Sequence, residues 1–159
     1  MYVQWLYGSS IFSQRPLEEL EEGYDELEVL IDGFIFGEKI QDGGFKDAII
    51  DSLIASVSTL GKEGKYWYPT GKMIERAYKG TPTGSPLRRL LVDMHVNHGQ
   101  RCWIEEGMNA DFLADLVRNL LDIRDLVHES DPTRPDISSC HYHHHGDDAQ
   151  CYSEKVLAE

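Results

Sequence analysis

Near the end of the chain, Cys140-His141-Tyr142-His143-His144-His145 is followed by five residues and then Cys151. Taken as Cys-x2-His-x-His-x5-Cys, this run supplies two thiolates and two imidazoles, the donor set that Zn²⁺ binds tetrahedrally in closed structural sites. On an extended backbone alternate side chains share a side, so His143 and His145 act together while His144 points away. His141 and His144 stay open as replacement ligands. Four protein ligands leave no position for water or substrate, so the zinc expected here is structural. Its binding, on the order of 10 kcal/mol, would order a tail too small for a core of its own. Asp147 and Asp148 lie in the connecting loop, where a carboxylate can accept from a ligand imidazole. The competing readings are a solvated histidine-rich tail, a tag remnant, or a Cys140–Cys151 disulfide.

A second grouping, His95, His98 and Cys102, has the residue types of a thiol nucleophile with its base. His95 and His98 flank the buried position Met94 on a predicted helix, which makes a packed or solvated histidine the expected reading. Cys102 beside Trp103 reads as a small buried apolar residue. There is no G-x-S-x-G elbow, no P-loop and no H-E-x-x-H helix; Gly61 to Lys65, GKEGK, lacks a phosphate loop's spacing and hydroxyl. The chain is expected not to be an enzyme.

The elements that carry these residues read as helices. With 159 residues, 41% of them hydrophobic and 27% charged, the composition is that of a globular domain with a tail. Apolar residues at Leu20, Tyr24, Leu27, Ile31 and Phe34 recur at helical steps, and Gly43 and Gly44 are expected to stop that helix or a short continuation. Phe45, Ile49, Leu53, Ile54 and Val57 repeat the pattern up to Gly61. Residues 61 to 70 read as a loop whose aromatics, Tyr66, Trp67 and Tyr68, pack back onto the helices. A short helix runs from about Gly71 to Lys79. Ser85-Pro86 signals another, with Ser85 as cap and Leu87, Leu90, Leu91 and Met94 as its buried stripe, ending at Gly99. The last opens near Asn109 and turns Leu113, Leu116, Val117, Leu120 and Leu121 toward a core. No alternating pattern is long enough for a strand.

The net charge of −13 disfavours nucleic acid and anionic membranes, both of which are bound chiefly through Lys and Arg. Leu17 to Asp51 holds 12 acidic and 2 basic residues, whereas Gly61 to Arg89 holds 2 acidic and 7 basic. The two stretches should attract, either within the fold or as a partner surface of mixed sign. Arg88 and Arg89 fall in the first turn of their helix, against its dipole, so an internal carboxylate or a partner's acidic group is expected to meet them. There is no stretch of about 18 apolar residues, no secretory leader pattern after Met1, and no Asn-x-Ser/Thr site. With only three cysteines, an intracellular compartment, cytoplasm or nucleus, is expected. At the other end, Tyr2, Val3, Trp5, Leu6 and Tyr7 resemble a helix already under way, with no cap. Such a start calls for a partner, and Tyr2, Trp5, Leu6 and Tyr7 are the candidate partner-binding residues.

YVQWLYGSSIF at Tyr2 to Phe12 resembles a stretch found midway through the BTB/POZ domains of filamentous fungi. GEKIQD at Gly37 to Asp42, FKDAIIDSLI at Phe45 to Ile54 and GSPLRRLLVD at Gly84 to Asp93 are similar to successive helices of that family, in the same order. The resemblance covers nearly the whole chain and is carried by the ordered combination of motifs. It implies the closing helices of a BTB fold followed by a helical extension. It also implies a module for protein interaction or self-association, in many members linked to a cullin-type ubiquitin ligase scaffold. Its members often carry C-x-Y-H-x-H followed by Cys, which favours Cys140, His143, His145 and Cys151 as the ligands. The resemblance begins midway through the family's domain. The strands and first helices that carry the usual dimer contacts are therefore expected to be missing, whether through truncation or because the chain is a fragment. The glycine expected one residue beyond the WLY motif is also displaced, since Gly8 follows Tyr7 directly.

The expectation is an all-α fold with a partial BTB/POZ-like helical region at 1–60, a helical extension at 61–129 and a Cys/His-rich tail at 130–159. The expected function is a non-enzymatic adaptor or scaffold. A truncated product without activity of its own and a small zinc-binding protein are the alternatives.

Overall fold

The computed structural model describes residues 1–8, 11, 24–61 and 64–128. They form six α-helices: α1 (Tyr2–Gly8), α2 (Tyr24–Ile40), α3 (Gly43–Ser58), α4 (Gly71–Gly80), α5 (Pro86–His98) and α6 (Ala110–His128), with a 3-10 turn at Arg101–Trp103. No strand occurs among the described residues, so the expected helical class is what is found.

The connection between α2 and α3 is only Gln41 and Asp42, which makes the two helices a tight hairpin. Gln41 has φ 57, a conformation uncommon outside glycine, and this turns the chain out of α2. Asp42 then caps α3, its Oδ1 accepting from the Phe45 amide at 2.9 Å. Gly43 and Gly44, expected as a stop, instead open α3. The stop lies in Gln41, whose side chain carries no such signal. A Cβ on Gly37 would lie 2.7 Å from the Lys46 Cγ and 3.1 Å from the Phe45 ring, so a larger residue here would force those side chains or the helices to shift.

The helical periodicity of the sequence becomes a single core. Leu27, Leu30, Ile31 and Phe34 of α2 face Phe45, Ile49, Leu53 and Val57 of α3. Met73, Ile74, Ala77 and Tyr78 of α4, with Leu87, Leu91, Val92 and Met94 of α5, complete it, together with Phe112 and Leu116 of α6. Each large apolar side chain so buried contributes roughly 1.5–3 kcal/mol. Residues Met1–Asp122 form one compact unit; a second, Ile123–Glu159, is described only over the end of α6.

Two helix starts differ in how they are capped. Asn109 caps α6 by accepting from the Phe112 amide at 3.0 Å. Ser85, expected to cap α5, makes no such bond; its hydroxyl donates instead to Glu38 Oε1 at 3.5 Å. Ser85 is 3% exposed, and Pro86 at the start of α5 already removes one free amide.

The expected acidic partner of Arg88 is replaced by backbone. Arg88 is 8% exposed, and its Nη2 donates to the Tyr78 carbonyl at 2.6 Å and to the Thr81 carbonyl, while Nε donates to Thr81 Oγ1 at 3.1 Å. These carbonyls belong to the C-terminal end of α4, the negative end of its dipole, which supplies the compensation assigned to a carboxylate. Between the acidic and basic stretches, Arg76 meets Asp32 at 3.2 Å. Both side chains are about half exposed, so this pair adds little to the stability of the contact.

Candidate functional site

The residues expected to bind a partner divide by face. Tyr2 packs edge-on against Phe36 and Phe45, with centroids 5.3 and 5.0 Å away, and Trp5 lies 6.1 Å from Phe45. The Tyr2 hydroxyl donates to Asp42 Oδ2 at 3.2 Å, so one carboxylate caps α3 and anchors α1. Desolvation, together with that carboxylate, raises the Tyr2 pKa. The apolar N-terminal helix therefore has a partner within the chain for Tyr2 and Trp5. Leu6 and Tyr7 face outward, 58% and 90% exposed, and Val3 joins them on the same side.

A concave site that the sequence reading missed is built from other residues of the same unit. The loop before α4, the start of α4, one side of α5 and the Arg101–Trp103 turn enclose a cleft of about 290 Å³. Its walls include Tyr66, Trp67, Tyr68 and Trp103, and its polar groups are Thr70, His95, Cys102 and Glu105. Tyr68 stands between two rings, stacked on His98 at 5.2 Å and tilted against Trp103 at 5.1 Å.

Two of the polar groups, His95 and Glu105, offer acceptors, and the Thr70 hydroxyl can donate or accept. His95 Nδ1 lies 2.8 Å from the Leu91 carbonyl, and a carbonyl only accepts, so the proton is on Nδ1 and Nε2 keeps its lone pair. Burial lowers the His95 pKa and so favours the neutral ring, against the opposing effect of that hydrogen bond. Thr70 stands at the N-cap position of α4 without capping it, and its hydroxyl oxygen is buried with no hydrogen-bond partner. A Cβ on Gly71 would lie 3.4 Å from Glu105 Oε2, which places that carboxylate at the positive end of α4.

This geometry also sorts the earlier candidates. His95 is a packed histidine, edge-on to Trp103 at 5.6 Å and to Phe112 at 5.0 Å. Cys102, expected to be buried, is exposed, its Sγ 3.7 Å from Gln100 Oε1. The 3-10 turn swings it outward while Trp103 beside it packs inward. The cleft had one visible signal, three consecutive aromatics inside a loop bounded by glycine and proline. What closes it, Trp103 and Glu105, is more than thirty residues away in sequence.

Cys140, His143, His145 and Cys151 lie outside the described residues, and so does the expected zinc site. Among the described residues no group of three or more His, Cys, Asp or Glu is placed to hold a metal, and no helix is long and apolar enough to cross a membrane. No family model, curated protein or solved structure matches the chain.

Proposed function

We propose that this chain is a non-enzymatic protein-interaction module of the BTB/POZ type, an adaptor or scaffold that associates with a second copy of itself through α1. The observation that carries this reading is the two-sided character of α1. Its inner face is occupied by the Tyr2 and Trp5 contacts, while Val3, Leu6 and Tyr7, at helical spacing on the other face, are exposed by 65%, 58% and 90%. The ordered resemblance of Tyr2 to Phe12, Gly37 to Ile54 and Gly84 to Asp93 to fungal BTB helices supports the family assignment. A cullin-type ubiquitin ligase scaffold is the further partner that this assignment brings with it.

Part of the same reading is a structural zinc held by Cys140, His143, His145 and Cys151. The four donors are of the type and number that close a tetrahedral site.

Size-exclusion chromatography with light scattering tests the association. The full chain is expected to run as a dimer at micromolar concentration, and Leu6→Glu with Tyr7→Glu to run as a monomer with unchanged helicity. A wild-type chain that stays monomeric overturns the reading.

A further inference from the structure

We propose that the cleft between residues Tyr66–Gly71 and Trp103 is a binding site for an alkylammonium group, a protonated or N-methylated amine on an aliphatic stem. No residue of α1 lines this cleft, and the proposal stands without the interaction reading.

The chemistry follows from what the cleft offers and what it lacks. Tyr66, Trp67, Tyr68 and Trp103 contribute aromatic and apolar area, and none of the residues lining the cleft is Lys or Arg. Aromatic walls around an ammonium attract it through the ring quadrupole, most strongly where water is excluded. The hydrogen-bonding groups agree. With Nδ1 committed to Leu91, His95 offers only the Nε2 lone pair, Glu105 offers carboxylate oxygens, and the Thr70 hydroxyl is unpaired. The His95 and Glu105 acceptors suit a ligand that donates, and the Thr70 hydroxyl can accept from one as well.

Among the residues lining the cleft, those at the start of α4 favour an anion instead. A helix N-terminus carries a positive charge of about half a unit, and the Glu105 carboxylate beside Gly71 outweighs it. Among the residues lining the cleft the only charged side chain is Glu105, and the chain as a whole carries −13. An incoming carboxylate or phosphate would meet Glu105 with no cationic side chain among the lining residues to offset it.

Calorimetry and tryptophan fluorescence on the full chain test this with three probes of one size: trimethylbutylammonium, its neutral carbon isostere 2,2-dimethylhexane, and hexanoate. The ammonium is expected to bind saturably and quench Trp67 and Trp103 emission, with the neutral and anionic probes much weaker. Glu105→Gln, at an exposed position where the fold should not change, is expected to weaken ammonium binding roughly tenfold, and Trp103→Leu by at least as much. Thr70→Val removes a hydroxyl that caps nothing; it should leave trimethylbutylammonium unaffected and weaken n-butylammonium, which has N–H groups to donate. A peptide bearing trimethyllysine that binds more tightly than the free ammonium identifies a protein side chain as the source, and equal binding identifies a small amine. The proposal is overturned if no ammonium binds, if the neutral or anionic probe binds as well, or if Glu105→Gln leaves the affinity unchanged.

Discussion

The guanidinium of Arg88 lies over the ring of Tyr78, its carbon 4.4 Å from the centroid, while donating to the carbonyl of the same residue. One side chain of α5 thus grips both the face and the backbone of α4. Arg88→Met should cost about 3 kcal/mol, since it leaves buried carbonyls unpaired and removes the cation–π contact. Arg88→Lys should recover only part of this, because an ammonium cannot span Tyr78 and Thr81 with a planar fork. Urea denaturation midpoints check both. An Arg88→Met protein as stable as wild type would remove the clamp from any account of the fold.

His95 sets a pH dependence. Its folded-state pKa lies below the ordinary 6.5, chiefly through burial, so the unfolded chain binds the proton more readily. Stability from this residue is therefore complete above pH 6.5 and declines as the pH falls below it. Urea midpoints at pH 7.5 and 5.5 should differ more for wild type than for His95→Gln. Equal differences would show that the ring is not held neutral by the fold.

Gly80 ends α4 against Ile35. A Cβ there would lie 2.7 Å from three atoms of the isoleucine head, Cγ1, Cγ2 and Cδ1, so no single rotation of that branched side chain clears it. Gly80→Ala should destabilise by about 1–3 kcal/mol. With Ile35→Ala as well, the loss should be smaller than the sum of the two single effects, as for residues in direct contact. Thermal melts of the two single variants and the double variant measure the coupling.

For the tail, metal analysis of tag-free protein should find about one zinc per chain, lost in Cys140→Ser and in Cys151→Ser. Far-UV circular dichroism should then change little, because Met1–Asp122 has a core of its own. A zinc-free wild type would reject the site, and a collapse of the helical signal would reject its confinement to the tail.

Helix positions were legible in the sequence because periodicity reports burial directly. Leu27, Ile31 and Phe34, and likewise Phe45, Ile49 and Leu53, are core residues as their spacing indicates. Where the reading failed, the deciding information was not local. Val117, Leu120 and Leu121 continue the apolar stripe of α6 but are 53%, 47% and 41% exposed, since the stripe does not record where packing against its neighbours ends. Gln41 gives no sign of its left-handed backbone. Arg88 found carbonyls in place of a carboxylate because helix dipoles from other segments are invisible in a residue list. The cleft joins Tyr68 to Trp103 and Gly71 to Glu105, pairs more than thirty residues apart in sequence.

The two-residue link between α2 and α3 also governs the order of assembly. The contacts of this hairpin close over a short stretch of chain, with little loop entropy to overcome, whereas α1 reaches Asp42 across forty residues. Leu30–Phe34 and Ile49–Leu53 should accordingly be protected first in a pulse-labelled refolding experiment and exchange last from the native state. The amides of α1 should open long before the rest, and with them the face that Leu6 and Tyr7 present.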